Sequence, residues 1–270
     1  DNTGTGIACV VNAGVFIRNC VISKNGLRGV NCNSFSGMDI SNSHITENSG
    51  GGLICQDYAG ITIKNSIIDK NTAEEGGGIF CSPTSRLFAT DCVIANNTAW
   101  ENGGGIWDLT RFGNAVVKYC TITKNSAGNR GGGIYVNDRG QLRMTNSIVW
   151  DNTSDRTHAE VFAGGIVSIK SCDIKNGLMG IDPNGKQRFL TYQDNIDEDP
   201  LFVNADAGDF TLQENSPAEG MGVRNEAGQV EDEQEVVEQE QNGQEQEKED
   251  PLSVSQHGKR WVRWADLKRR

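Results

Sequence analysis

Residues 61–81 read ITIKNSIIDKNTAEEGGGIFC, and the same order of residue types recurs along the chain. The string SIIDKN (66–71) inside it has five counterparts: CVISKN (20–25), SHITEN (43–48), CVIANN (92–97), CTITKN (120–125) and SIVWDN (147–152). A shortened copy, CDIKN, closes the series at Asn176. The final Asn residues of the six full strings are 23, 23, 26, 28 and 27 positions apart, so the chain is a tandem repeat.

Each repeat consists of short β-rich stretches separated by Gly and Asn. Apolar and polar residues alternate, as in Ile61, Thr62, Ile63 and Lys64, and no helical period is present. A leucine-rich repeat has a similar period but needs a regular Leu framework, and Leu is sparse here. We therefore predict an all-β fold, a right-handed parallel β-helix of about seven to eight coils over residues 1–180. Every turn of this single solenoid adds one strand to each parallel sheet.

The repeat also predicts which residues face the core. We expect two inward columns, one of Ile17, Ile40, Ile63, Val117, Met144 and Ile169, the other of Ile22, Ile45, Ile68, Ile94, Ile122, Val149 and Ile174. A further column falls where the chain turns between strands: Asn19, Asn42, Asn65, Asp91 and Asn146. Asn and Asp tolerate the left-handed backbone conformation that such turns use.

The pattern resembles the right-handed parallel β-helix proteins of bacterial exoproteomes. The closing stretch is more specific: residues 147–177 and then 195–222, NIDEDPLFVNADAGDFTLQENSPAEGMG, are similar to the terminus of the choice-of-anchor Q proteins. Those proteins carry a DPLFV…GDF…SPA segment. The resemblance covers residues 1–222. It implies a pectin-lyase-like fold and export to the cell surface or medium, and it implies no single catalytic activity.

Two segments follow the predicted β-helix. Residues 181–222 are expected to cap its open end with Phe202, Phe210 and Leu212, because an uncovered last coil exposes strand edges. Residues 226–250 carry eleven acids and one Lys, and residues 251–270 carry six Lys or Arg and one acid. The Glu/Gln-rich part has too few apolar residues to fold alone, so we expect residues 223–270 to be disordered.

The eight Cys residues occupy columns of the repeat. Cys20, Cys92, Cys120 and Cys172 exchange with Ser in one column, and Cys9, Cys32, Cys55 and Cys81 share the other with Asp108 and Val136. Exchange with small residues indicates buried free thiols, with an occasional bridge between coils left open. The chain has no C-x-x-C pair, and GGGI is never followed by the Asp of calcium-binding repeats. We expect no cofactor and no metal site; calcium stays open only as an ion without a motif.

An outward column on the first strand of each coil is the candidate ligand-binding surface. Ile54 is followed there by Phe80, Trp107 and Tyr135 on successive coils. Five charged residues lie just beyond this column: Asp57, Asp108, Asp138, Arg111 and Arg139. Flat rings beside carboxylates and guanidinium groups suit stacking on sugars, so the column predicts an exposed glycan-binding stripe. An aromatic stack packed under a loop is the alternative.

A second outward column supplies cationic side chains: Arg18, Lys64, Lys118 and Lys170. Polysaccharide lyases of this fold use such bases beside an acidic cluster, and glycoside hydrolases use carboxylate pairs. Neither arrangement is visible in residues 1–222. We therefore expect no catalytic residue and favour a non-catalytic structural protein, adhesin or glycan-binding solenoid. The alternative is a polysaccharide lyase or another carbohydrate-active enzyme.

Charge and hydropathy limit the partners. The formal net charge of −11 argues against nucleic acid. The longest apolar runs are about five residues, whereas a transmembrane helix needs ~20. We expect a monomer that is extracellular or at the cell surface, with a polysaccharide or cell-surface glycan as its partner and its export signal removed or outside this sequence.

Overall fold

The computed structural model describes residues 2–110, 115–156, 160–185 and 190–224. They belong to one compact unit, Asp1–Gly228. A second unit, Gln229–Arg270, lies outside the described residues. Of the predicted disordered segment, only Val223 and Arg224 are therefore described.

Three parallel sheets run along the solenoid, and successive turns of the chain add one strand to each. Sheet 1 has eight strands: Ile7–Cys9, Val30–Cys32, Leu53–Cys55, Ile79–Cys81, Ile106–Asp108, Ile134–Val136, Val161–Ala163 and Ile181–Asp182. Sheet 2 has eight: Gly14–Arg18, Gly37–Ser41, Gly60–Lys64, Arg86–Thr90, Ala115–Lys118, Gln141–Thr145, Ile166–Lys170 and Leu190–Gln193. Sheet 3 has seven: Val21–Ser23, His44–Thr46, Ile67–Asp69, Val93–Ala95, Thr121–Thr123, Ile148–Trp150 and Asp173–Ile174.

Smaller elements complete the chain. Sheet 4 contains four two-residue strands: Thr72–Ala73, Thr98–Ala99, Ser126–Ala127 and Thr153–Ser154. A 3₁₀ turn spans Gly177–Gly180, and Phe202–Asn204 pairs antiparallel with Asp209–Leu212. No α-helix occurs in the described ranges. The predicted all-β parallel β-helix is thus confirmed, with about seven turns.

The predicted core columns are confirmed by the strand register. Ile40 pairs with Ile17 and Ile63 in sheet 2, and Ile94 pairs with Ile68 and Ile122 in sheet 3. All thirteen predicted members of the two columns are buried. Since neighbouring coils place apolar residues at the same position, the core is a stack of similar side-chain layers, with Ala89, Val117 and Met144 among the Ile residues of sheet 2.

The turn between sheets 2 and 3 uses the predicted left-handed residues. Asn19, Asn42, Asn65, Asp91 and Asn146 all have φ between 47 and 53°. Two residues that the sequence did not suggest complete this column, since Tyr119 and Ser171 have φ values of 50 and 51°. The neighbouring coils impose the turn even where a bulky residue occupies it.

An asparagine ladder runs inside the corner after sheet 3. Each side-chain Nδ2 donates to the Oδ1 of the next Asn at 2.7–3.0 Å, through Asn2, Asn25, Asn48, Asn71, Asn97, Asn125 and Asn152. The chain of amides ends on a carboxyl group, because Asn152 Nδ2 donates to Glu160 Oε2 at 2.7 Å. Asn176, the predicted end of the series, is exposed and donates to none of these groups through its side chain. The ladder satisfies buried amides that would otherwise destabilise the corner.

The eight thiols are free, and all except that of Cys20 are buried. Burial raises the pKa of Cys32 and of Cys172 to about 12, which keeps both thiols protonated. The prediction of a buried thiol ladder is confirmed. Inert thiols of this kind pack as small apolar groups.

Two residues of the predicted cap segment, 181–222, pack against the core, although they are not the three that the sequence singled out. Leu190 and Tyr192, on the last strand of sheet 2, pack against the core cluster. Phe202 and Phe210 instead contact each other, with ring centroids 5.4 Å apart, and lie with Leu212 outside that cluster. The antiparallel hairpin is held from the side, where Lys124 Nζ donates to Asp206 Oδ1 at 2.7 Å.

Candidate functional site

The predicted aromatic column is present but is not an exposed stripe. Phe80, Trp107 and Tyr135 are direct neighbours in sheet 1, and the column continues to Phe162, which the sequence reasoning missed. Trp107 is 9% exposed and Phe162 is 1% exposed, whereas Phe80 and Tyr135 are half-buried. The expectation of an open row of rings is therefore wrong at its centre.

The rings pack on one another and on the glycine runs. Trp107 lies edge-on to Phe80 at 5.0 Å and to Tyr135 at 6.1 Å, and Tyr135 stacks on Phe162 at 4.7 Å. A Cβ on Gly103 would lie 2.7 Å from the Cβ of Trp107. Only a residue without a side chain fits there, and Gly103 has a φ of 67°. The column is a second packed layer outside sheet 1.

The predicted charged residues separate into three groups. Asp57, Asp138 and Arg139 are exposed. Asp108 points into the core: it is 0% exposed, its Oδ1 accepts from the Thr110 backbone N–H at 2.8 Å, and burial raises its pKa to about 7. Its assignment to the ligand face is corrected, since it shares the inward position of Cys81. Arg111 lies outside the described residues. A ligand-binding role for the exposed members stays a prediction.

A polar cleft at the C-terminal end of the solenoid was not predicted. It has a volume of about 580 Å³ and is lined by Lys124, Asp151, Asn152, Arg156, Glu160 and Lys175, among others. The residue before each ladder Asn from Asn25 to Asn152 has a positive φ, 54° at Lys124 and 57° at Asp151. Successive coils therefore place charged side chains in a row at this corner, and Lys175 ion-pairs with Asp151.

Glu160 enters the cleft because the ladder ends there. Its position in the repeat is that of Gly105 and Gly133, the last residue before a sheet 1 strand. A Cβ on Gly133 would lie 2.9 Å from Nδ2 of Asn152, so earlier coils leave no room for a side chain. No ladder Asn follows Asn152, and the carboxyl group of Glu160 accepts the hydrogen bond that the next Asn accepts on earlier coils. The sequence signal for this site is a Glu at a repeat position that holds Gly on the preceding coils.

The electrostatics of the cleft favour anions. Three cations, Lys124, Arg156 and Lys175, line it with the carboxylate of Asp151, and Lys124 also pairs with Asp206 at the side of the cleft. Burial raises the pKa of Glu160 to about 8, against the opposing effect of the Asn152 hydrogen bonds, so this carboxyl is mostly neutral near neutral pH. The ion pair with Asp151 raises the pKa of Lys175. The indole ring of Trp150 lies 5.5 Å from the Lys175 ammonium group and adds a flat surface beside the cleft.

These features define the class of protein: a parallel β-solenoid with a polar cleft at its C-terminal end. The chain belongs to the family described as the right handed beta helix region, whose family model matches residues 5–188. Comparison with curated proteins gave no match, and comparison with solved structures gave none either.

Among the described residues, no group of three or more His, Cys, Asp or Glu side chains is placed to hold a metal ion. In the part of the chain that the structure describes, no helix is long and apolar enough to span a membrane.

Proposed function

We propose that this chain is a non-catalytic, secreted or cell-surface solenoid that binds an acidic polysaccharide in its C-terminal cleft. The observation that carries the proposal is the excess of cationic side chains there: Lys175 is paired with Asp151 and Lys124 with Asp206, and Arg156 adds a third cation. Cations on successive coils match the repeating charge of an acidic glycan, and guanidinium and ammonium groups bind carboxylates by charge-assisted hydrogen bonds.

A binding role fits these residues better than a lyase role. A lyase needs a neutral base that removes a proton from the sugar ring. The ion pair of Lys175 with Asp151 raises the pKa of the lysine, and Lys124 donates to Asp206 and to the carbonyl oxygen of Ala205. Lys175 is thus held in the charged form, which attracts an anion and cannot accept a proton, and the ammonium group of Lys124 is occupied by two hydrogen bonds.

The proposal is tested by calorimetric titration of the full chain with polygalacturonate, and with dextran as the neutral comparison. Arg156→Ala removes one cation from the cleft, so we expect severalfold weaker binding. Lys70→Ala is the matched control, because Lys70 precedes a ladder Asn on an earlier coil and lies outside the cleft lining. Equal binding by Arg156→Ala and the parent protein, or binding of dextran as tight as that of polygalacturonate, contradicts the proposal. Release of unsaturated uronides would establish the lyase alternative.

A further inference from the structure

Glu160 is the one cleft residue whose carboxyl group is both buried and incompletely hydrogen-bonded within the described chain. The residue is 2% exposed and lines the cleft. Its Oε2 accepts from Asn152 Nδ2 at 2.7 Å and from the Asn152 backbone N–H at 3.4 Å. Among the described residues, its Oε1 has no hydrogen-bond partner. The ladder thus fixes one oxygen, and both side-chain hydrogen bonds of Glu160 to described residues are on that oxygen.

The groups around Glu160 decide its protonation. Lys175 favours the charged form and Asp151 opposes it, while the remaining cations of the cleft are Lys124 and Arg156. The 3₁₀ turn Gly177–Gly180 packs against this side chain, because a Cβ placed on Gly180 would lie 3.2 Å from the Glu160 Cγ. The turn contains no titratable residue. Burial outweighs the favourable contacts, so Glu160 holds a proton at neutral pH.

We propose that Glu160 recognises the carboxylate of a uronic-acid unit by donating its own proton to it, with Oε1 as the donor and the ligand oxygen as the acceptor. The inference rests on the proposed function and names the chemical group that the cleft selects. An O–H donor to a carboxylate makes a short, charge-assisted hydrogen bond, and the neighbouring Lys175 stabilises the anion. Ionised Glu160 repels the same carboxylate, so the site releases its ligand in alkaline solution.

The test compares polygalacturonate binding at about pH 7 and about pH 9. If only neutral Glu160 binds, the competent fraction falls from about nine tenths to about one tenth, and binding weakens about tenfold. The hydrogen bond with Asp151 raises the pKa of Lys175, so this cation persists over the range. Glu160→Gln stays neutral, retains an acceptor for Asn152 and gains an amide donor, so its binding is expected to be independent of pH. The inference is overturned if Glu160→Gln loses binding between about pH 7 and about pH 9 to the same extent as the parent protein. It is also overturned if binding by the parent protein does not depend on pH.

A second measurement needs no variant. Calorimetry of the parent protein at about pH 9 in two buffers with different ionisation enthalpies reports the protons taken up on binding, and we expect close to one proton per bound uronate. Zero uptake overturns the inference while the proposed function stands. Failure of the parent protein to bind polygalacturonate at about pH 7 overturns the proposed function, and this inference with it.

Discussion

The guanidinium group of Arg224 holds the carboxylate of Asp91 by two hydrogen bonds, Nε to Oδ1 at 2.7 Å and Nη2 to Oδ2 at 2.8 Å. The same guanidinium lies 3.8 Å from the ring centroid of Tyr119. Gly222 and Val223 donate to Asn146 and Thr121 on the way. The last described residues therefore run back along the corner between sheets 2 and 3 and join separate coils.

We expect Arg224→Ala to cost about 1–3 kcal/mol of stability, because Asp91 is 5% exposed and its charge would lose its partner. A double-mutant cycle with Asp91→Asn in urea unfolding measures the coupling. Asn occupies this turn on other coils, so the backbone is preserved. Lys24→Ala, which breaks the exposed Lys24–Glu47 pair, should cost less than about 0.5 kcal/mol. Equal costs for the two alanine variants contradict the prediction.

Removal of a central ladder amide should be far more costly than removal of a terminal one. Asn97 is fully buried, donates to Ile68 O and to Asn125, and accepts from Asn71. Asn97→Ala leaves several buried polar groups unpaired, and we expect a loss of about 3 kcal/mol or more. Asn2→Ala, at the exposed end, is the control with an expected cost below about 1 kcal/mol. Urea unfolding of both variants checks the contrast.

Trp107 should act as a packing residue. Trp107→Ala is expected to cost about 3 kcal/mol or more through the cavity it leaves. Trp107→Phe should cost about 1 kcal/mol, because the ring contacts remain and the indole Nε1, which is buried without a partner among the described residues, is removed. Melting temperatures measure both. A small loss for Trp107→Ala, together with weaker glycan binding, would support the predicted ligand face instead.

Stability should depend on pH through Asp108. Burial raises the pKa of this carboxyl to about 7, so the protonated form fits the fold and ionisation destabilises it. The stabilisation is complete below the unfolded-state pKa near 4 and is lost as pH rises through about 7. Asp108→Asn keeps the acceptor for Thr110, so it should gain stability relative to the parent protein over that window. Unfolding by urea at several pH values checks this, with Asp57→Asn as the control for the substitution itself.

The sequence predicted the fold well because its information is local and repeated. Alternation, as in Ile61 and Ile63, assigns the inward face, and a constant period stacks that face into one core. The alternation of side chains along a strand predicts which of them point away from the core, and it correctly places Trp107 on the outer surface of sheet 1. It does not show whether a second layer covers the sheet, so it left an exposed stripe and a packed aromatic stack as alternatives for Trp107.

The cleft could not be predicted for a related reason. Lys124, Asp151 and Lys175 occupy the residue before an Asn on different coils, where charged residues are ordinary at an exposed turn. They line a cleft only together with Glu160, and Glu160 occupies a repeat position that holds Gly on the preceding coils. A repeat predicts the role of positions that recur on every coil. It does not predict the role of a single residue that departs from the pattern.

The asparagine ladder also determines how the length of this protein can vary. Asn71, Asn97 and Asn125 each donate to and accept from an identical neighbour, so deletion of residues 72–97 would rejoin Asn71 directly to Asn125 with the same bonding pattern. An inserted coil with an Asn at the same position could likewise hydrogen-bond to the ladder Asn residues of the preceding and the following coil. Beyond Asn152 the chain of amides needs an acceptor without a following amide, which Glu160 provides. The solenoid is thus modular in its middle coils and unique at its end, and a change in the number of middle coils would alter its length while leaving the ladder's terminal acceptor in place.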